Sequence, residues 1–150
     1  MSAFKGTYEY SIDNKGRINI PAKLRKYVSP EANDTFTITR GFEKCLFIYP
    51  QDEWNRLEQS IRALSSTNAK HRFFMRVLLQ QAAESQLDGQ SRITIPKDLL
   101  QFAAIESEVL IMGVLEHIEV WNPDEYKKYL AAQESSYEEV AETVLQKKDV

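Results

Sequence analysis

Two short segments of the sequence place an aspartate four residues before an arginine. They read Asp13-Asn14-Lys15-Gly16-Arg17 and Asp88-Gly89-Gln90-Ser91-Arg92. Asp and Asn side chains accept hydrogen bonds from nearby backbone amides, and glycine permits positive φ, so both segments are typical of tight turns. A carboxylate that orders such a turn holds the arginine on a rigid base, and a guanidinium binds phosphate or guanine edges through paired donors. The pattern therefore predicts rigid basic turns that can contact nucleic acid.

The aspartate–arginine spacing also has a purely structural interpretation, in which Asp13 caps the turn and Arg17 pairs with it across the loop. Both interpretations can hold together. The second turn has Gln90 for the lysine and Ser91 for the glycine of the first, so we expect it to be less basic, less free to adopt positive φ and weaker in binding. The residues expected to organise the two loops are Asp13, Gly16, Asp88 and Gly89.

Both turns belong to an internal duplication. Each is followed by Ile-x-Ile-Pro, and the matching Asp, Arg, Ile and Pro residues recur 75 positions later. Downstream, Tyr49-Pro50-Gln51-Asp52-Glu53-Trp54 corresponds to Trp121-Asn122-Pro123-Asp124-Glu125-Tyr126. A repeat of this kind indicates two copies of one structural unit.

Residue patterns predict the same strands and helices in both halves, and hence an α+β protein. Alternating, β-branched and aromatic runs indicate strands, while the prolines after them begin helices. The predicted strands are 8–12, 17–20, 35–39, 45–49, 92–95, 109–112 and 118–121. The predicted helices are 22–28, two helices between the halves, one from Pro96, one from Pro123 and a tail helix at 137–147. The tail helix could dock on the body of the protein or on a neighbouring subunit. The predicted division is 7–52 (unit 1), 53–80 (helical connector), 81–124 (unit 2) and 125–150 (C-terminal helical tail).

Charge is distributed unevenly along the chain. The formal net charge is −3, which at first argues against a nucleic-acid partner. Residues 55–80, however, carry five Lys or Arg and one acidic residue, and the first 26 residues carry six basic residues, Lys5 among them, against two acidic ones. We expect Lys5 to contribute to a basic front. One such patch binds weakly, so repetition in an oligomer would be needed.

The sequence offers little support for catalysis or for a cofactor. His71, His117 and Cys45 do not form a cluster with metal-ligand spacing, and no Gly-rich phosphate loop occurs. Cys45 lies beside Leu46 and Phe47, which is typical of a small core residue. A lone cysteine provides no disulfide framework, which favours the cytosol. The absence of a long apolar run predicts no membrane span.

The tandem Asp-x-x-x-Arg and Ile-x-Ile-Pro segments, with the matching aromatic–acidic helix starts, resemble the MraZ family of AbrB/SpoVT-type transcription factors over nearly the whole chain. The resemblance implies a pseudo-dimeric double swapped-hairpin β-barrel with flanking helices. It also implies that Lys15, Arg17 and Arg92 face double-stranded DNA.

The same resemblance implies a regulator, most readily a repressor, of its own division and cell-wall gene cluster. Such a protein binds short direct repeats in the promoter as a ring of eight or twelve subunits and associates with the nucleoid in the cytoplasm. No cofactor, metal, membrane or small-molecule substrate is expected. Two rivals remain open: a protein-interaction or antitoxin-like module with the same fold, and a hydrolase with a site around Cys45 or His71.

Overall fold

The computed structural model describes residues 2–146, in which each half contributes four strands in the same order. The strands are β1 (Phe4–Ser11), β2 (Arg17–Asn19), β3 (Thr35–Arg40), β4 (Leu46–Pro50), β5 (Ala83–Gln86), β6 (Arg92–Thr94), β7 (Glu108–Leu115) and β8 (His117–Trp121). The helices are α1 (Ala22–Arg25), α2 (Gln51–Arg62), α3 (Ala69–Leu79), α4 (Lys97–Phe102), α5 (Pro123–Ala131) and α6 (Tyr137–Gln146), with a short 3₁₀ helix at Pro30–Ala32. The expected α+β class is confirmed.

Local chemistry explains where the helices begin. Pro21, Pro50 and Pro96 each occupy the position before a helix, where the fixed φ of proline ends the preceding strand. Asn68 caps α3 by accepting hydrogen bonds from two backbone amides, and Asn122 caps α5 in the same way. The predicted tail helix is present up to Gln146, and its last predicted residue, Lys147, lies outside the described residues.

Most strand pairs join one half of the chain to the other. The main sheet is antiparallel, with the order β1-β7-β8-β4-β3-β5, and β2 pairs with β6 in a separate two-stranded ribbon. Pairs β1–β7, β3–β5, β4–β8 and β2–β6 all connect the halves. The register obeys a pseudo-twofold relation, since Tyr10 faces Val109 where its equivalent Ser85 faces Phe36. The two units are therefore interlaced and share one sheet.

The larger of two clusters of buried hydrophobic residues in the described part of the chain lies between the sheet and the ribbon. The Ile-x-Ile-Pro segments supply its centre, because Ile18, Ile20, Ile93 and Ile95 are all at most 2% exposed. They pack with the buried residues of both halves of the main sheet, including Phe36. The alternation of the motif thus turns its isoleucines inward and its polar residues outward.

The expected closed barrel is not observed in residues 2–146. β1 and β5 are the two edges of the main sheet and do not pair with each other. The physical reason lies in β2 and β6, which use their backbone groups to pair together and so do not bridge those edges. The core is instead covered by the ribbon packed against an open sheet.

Within the part of the chain that the structure describes, no helix is long and apolar enough to cross a lipid bilayer.

Candidate nucleic-acid interface

The first turn is organised by the carboxylate of Asp13. Its Oδ1 accepts hydrogen bonds from the backbone amides of Lys15 at 3.0 Å and Arg17 at 2.8 Å. Its Oδ2 accepts from Nε of Arg17 at 2.6 Å. One carboxylate therefore fixes both the loop backbone and the guanidinium. Gly16 completes the turn at φ +79°, where a Cβ would lie 2.7 Å from the carbonyl oxygen of Ile95.

The second turn has the same geometry in spite of its different residues. Asp88 Oδ1 accepts from the amides of Gln90 at 2.9 Å and Arg92 at 3.0 Å, and Oδ2 accepts from Arg92 Nε at 2.9 Å. Ser91 adopts φ +61° at the position of Gly16. Serine is sterically less free than glycine to adopt positive φ, yet the second turn has the same conformation as the first. The strain is accepted because the turn's hydrogen bonds over-determine it.

The β2–β6 ribbon brings the two turns together. Ile20 N donates to Ser91 O at 3.0 Å, and Ile95 N donates to Gly16 O at 2.8 Å, so each turn is bonded to the strand end of the other. Across the pseudo-dyad, Nη1 of Arg92 lies 3.9 Å from Oδ2 of Asp13. The two turns thus form one continuous surface.

Hydrogen bonding to the turns keeps both aspartates ionised. The backbone amide of Arg17 lowers the pKa of the Asp13 carboxyl below its ordinary value of 3.8, and desolvation opposes this effect only in part. The backbone amide of Arg92 lowers the pKa of Asp88 in the same way. Because the lowered pKa values lie below 3.8, this order is fully present above that pH and is lost as the pH falls through them.

The exposure of the basic residues suits contact with a large partner. Lys15 is exposed at the tip of the first turn, and the side chains of Arg17 and Arg92 are 29% and 23% exposed. A guanidinium carries five N–H donors, and the bond to aspartate uses one of them. Rigid, part-exposed arginines with free donor capacity can bind an anionic or guanine-like ligand.

Of the expected site residues, Lys5 lies apart from this arrangement, and Gly89 lies within the second turn without the conformation that requires glycine. Lys5 is at the far end of β1, about 20 Å along the strand from Ser11, where its Nζ lies 5.5 Å from the ring centroid of Tyr27. Gly89 lacks positive φ, and a Cβ there would meet no atom within 4 Å. The turn geometry does not require glycine at that position.

One residue of the ribbon surface was missed by the sequence interpretation. Asn19 is exposed on β2, opposite Arg92 in the register, and its Nδ2 donates to the carbonyl of Gln90 at 2.9 Å. The signal was available, because Asn19 alternates with two buried isoleucines and so shares the outer face with Arg17. Thr94 is exposed at the equivalent position of β6.

The burial and contacts of Cys45, His71 and His117 are those of structural residues. Burial raises the pKa of the Cys45 thiol to about 12, which leaves almost no reactive thiolate at neutral pH. His71 accepts a hydrogen bond from Ser65 N at 2.9 Å, and His117 packs beside Phe47 and Tyr49. In residues 2–146, no group of three or more His, Cys, Asp or Glu side chains is arranged to hold a metal ion.

Comparison with known proteins agrees with this duplicated architecture. A family model described as "MraZ protein, putative antitoxin-like" matches the chain twice, over residues 3–77 and 78–148. A relative from Natranaerobius thermophilus, named transcriptional regulator MraZ, is 40% identical over 142 residues, or 95% of this chain and 96% of its own length.

Two further relatives carry the same name. The protein of Syntrophomonas wolfei is 42% identical over 95% of this chain and 96% of its own length, and that of Halothermothrix orenii is 42% identical over 92% and 94%. All three names denote regulators and not enzymes. The double family match and this level of identity over almost the full length show that the chain belongs to the MraZ family.

Proposed function

We propose that this chain is a sequence-specific DNA-binding transcriptional regulator whose contact surface is the pair of turns on the β2–β6 ribbon. The observation that carries the proposal is the juxtaposition of Arg17 and Arg92, each locked by its own aspartate, across one pseudo-dyad. The names of the relatives support the regulatory role.

The dimensions and chemistry of the ribbon suit a duplex. The major groove, about 12 Å wide, admits a two-stranded β-ribbon, and its base edges present acceptors that arginine bridges and amide groups that asparagine bridges. The outer face carries Arg17 and Asn19 on one strand and Arg92 and Thr94 on the other. Lys15 adds a flexible cation to the first turn only. We therefore propose that the first turn binds more strongly than the second, whose equivalent residue is the neutral Gln90.

Several finer features belong to the same proposal. The strand exchange between the halves supports a pseudo-dimeric swapped-hairpin unit, with units at 7–52 and 81–124, a helical connector at 53–80 and a helical tail at 125–150. Lys5 makes a peripheral phosphate contact. Asp13, Gly16 and Asp88 order the loops. Gly89 contributes backbone flexibility to the second loop.

The biological setting is proposed from the family resemblance. The protein acts in the cytoplasm on the nucleoid, binds direct repeats in the promoter of its own gene cluster, and represses it. A net charge of −3 disfavours tight binding by one chain, so a ring-shaped homo-oligomer of eight or twelve subunits supplies the affinity through effective concentration. The chemistry of the turns needs no cofactor and no small-molecule substrate.

A gel-shift titration of Arg17→Ala on the DNA upstream of its own gene tests the proposal. We expect binding to fall at least about fivefold, because one specific arginine contact is worth roughly 1–3 kcal/mol. Arg62→Ala is the matched control, since this exposed arginine at the end of α2 pairs with Glu58 at 3.5 Å. Arg17→Ala binding equal to that of the control at the same salt would refute the assigned role.

The antitoxin-like description of the family favours a second candidate function, that of a protein-interaction module that does not bind specific DNA. Retention of the wild-type protein on specific and on scrambled DNA, over a range of salt, separates the two. A regulator keeps a preference for the specific sequence, whereas an interaction module has none.

A further inference from the structure

The C-terminal helix α6 presents an apolar stripe to solvent. Tyr137, Val140, Val144 and Leu145 recur at helical spacing and are 82%, 48%, 55% and 58% exposed, and α6 has no buried residue. An isolated ten-residue helix is marginal in water. This one is nonetheless well started, because Ser136 Oγ accepts from Glu139 N at 3.1 Å and Glu139 Oε1 accepts from Ser136 Oγ at 3.0 Å. An exposed apolar stripe on a well-capped helix is typical of a surface that binds a partner.

A second exposed apolar surface lies in the first half of the chain, between α3 and the β3–β4 loop. It is a groove of about 190 Å³ lined mainly by Phe42, Phe73, Phe74 and Val77. Phe42 and Phe73 are 71% and 70% exposed. The ring of Phe42 is fixed by edge contact with Phe47, 5.3 Å between centroids, so the groove is preformed and not a loose loop.

The helices that carry the two surfaces have opposite charges. α3 carries Lys70, Arg72 and Arg76 and no acidic residue. α6 carries Glu138, Glu139 and Glu142 and no basic residue. From the helical rise, the stripe from Tyr137 to Leu145 is about 12 Å long, and Phe73 to Val77 on the α3 side of the groove span about 6 Å. The three glutamates of α6 disfavour an anionic lipid surface as the alternative partner.

We propose that α6 of one copy docks into the α3–Phe42 groove of a second copy. The contact is head-to-tail, because it joins two different surfaces of the same chain, and a repeated head-to-tail contact closes into a ring when its rotation permits. This inference rests on the oligomer named in the proposed function and gives that oligomer a specific contact. It is independent of how the turns bind DNA.

Sedimentation velocity of full-length variants tests the contact. Phe73→Glu places a negative charge in the groove, and Val144→Lys places a positive charge in the stripe. We expect each variant to sediment as a single chain where the wild type is an oligomer. Leu115→Glu is the control, since this residue is 59% exposed at the end of β7, and it should assemble like the wild type. Circular dichroism verifies that each variant is folded.

Mixing the two variants distinguishes docking between chains from docking within one chain. The Val144→Lys chain keeps an intact groove and the Phe73→Glu chain keeps an intact α6, so together they should form a 1:1 dimer and nothing larger. A mixture that stays monomeric would show that α6 of one chain does not bind the groove of another, and the proposal would be wrong.

Exchanging one charged residue on each helix tests the same contact without altering its apolar residues. Arg76→Glu and Glu142→Arg should each raise the dissociation constant of assembly at least tenfold, and the double variant should recover most of that loss. Assembly of both single variants at wild-type strength would overturn the contact while leaving the oligomer intact. A monomeric wild type would overturn the oligomer as well. DNA binding would then be weak overall, but Arg17→Ala would still weaken it further if the turns contact DNA.

Discussion

At the residue scale, the two turns differ in composition and agree in geometry. Gly16 and Ser91 both adopt positive φ, at +79° and +61°. Glycine accepts this conformation at no steric cost, whereas a residue with a Cβ pays roughly 1–2 kcal/mol for it. The second turn is therefore strained where the first is not, and the hydrogen bonds from backbone amides to Asp88 offset that strain.

Ser91→Gly should consequently stabilise the protein by about 1 kcal/mol. Gly16→Ala should destabilise it by at least that amount, because its Cβ would also lie 2.7 Å from the Ile95 carbonyl oxygen. Urea denaturation measures both changes in the free energy of unfolding. Gly89→Ala is the control and should change that free energy by less than about 0.5 kcal/mol. A neutral or destabilising Ser91→Gly would show that Ser91 is not strained.

At the element scale, the β2–β6 ribbon has two tasks, one on each face. Its inner face supplies Ile18 and Ile93, which are paired in register and are each 1% exposed. Its outer face carries the arginines. Because strand residues alternate, the core packing of the isoleucines sets the direction in which the arginines point.

Ile93→Ala should cost about 2–5 kcal/mol in the free energy of unfolding, since it leaves a cavity at the centre of the core. Thr94→Ala, the exposed neighbour, should cost less than about 1 kcal/mol. Thermal denaturation of the two variants makes the comparison. Equal losses for both would mean that the ribbon is not packed on the core as described.

Local signals in the sequence were enough to predict most of the elements and the turns. Alternation and proline placement indicate β2, β6 and the helices that follow them, and the Asp-x-x-x-Arg spacing indicates the capped turns. The pairing of β2 with β6 depends on contacts 75 residues apart, which no local pattern encodes. For that reason the open sheet and the remote position of Lys5 could not be predicted, whereas the exposure of Asn19 follows from its alternation with Ile18 and Ile20.

At the scale of the whole molecule, neither half is self-contained. Among the strands of residues 2–146, β3 pairs with β4 and β7 pairs with β8 within one half, and the other strand pairs cross between the halves. The family model nevertheless matches each half separately. The duplication is therefore visible in sequence as two units, while each buried cluster of the core contains residues of both halves.

The interlaced sheet predicts that both halves unfold together. Trp54 in α2 and Trp121 in β8 report on different halves and are 5% and 2% exposed. In the variants Trp54→Phe and Trp121→Phe, the remaining tryptophan should give a urea midpoint coincident with that from circular dichroism of the same protein. Separate midpoints for the two probes in a single variant would indicate two independent domains.

The central claim is that the two aspartate-anchored turns together form the DNA-binding surface. The most direct test is fluorescence anisotropy of the Arg17→Ala/Arg92→Ala double variant on specific and scrambled duplexes across a salt series. We predict that a variant of wild-type assembled mass loses its preference for the specific duplex. We also predict a shallower dependence of binding on salt, because fewer counterions are released. A double variant that keeps both the preference and the wild-type salt dependence would contradict the claim.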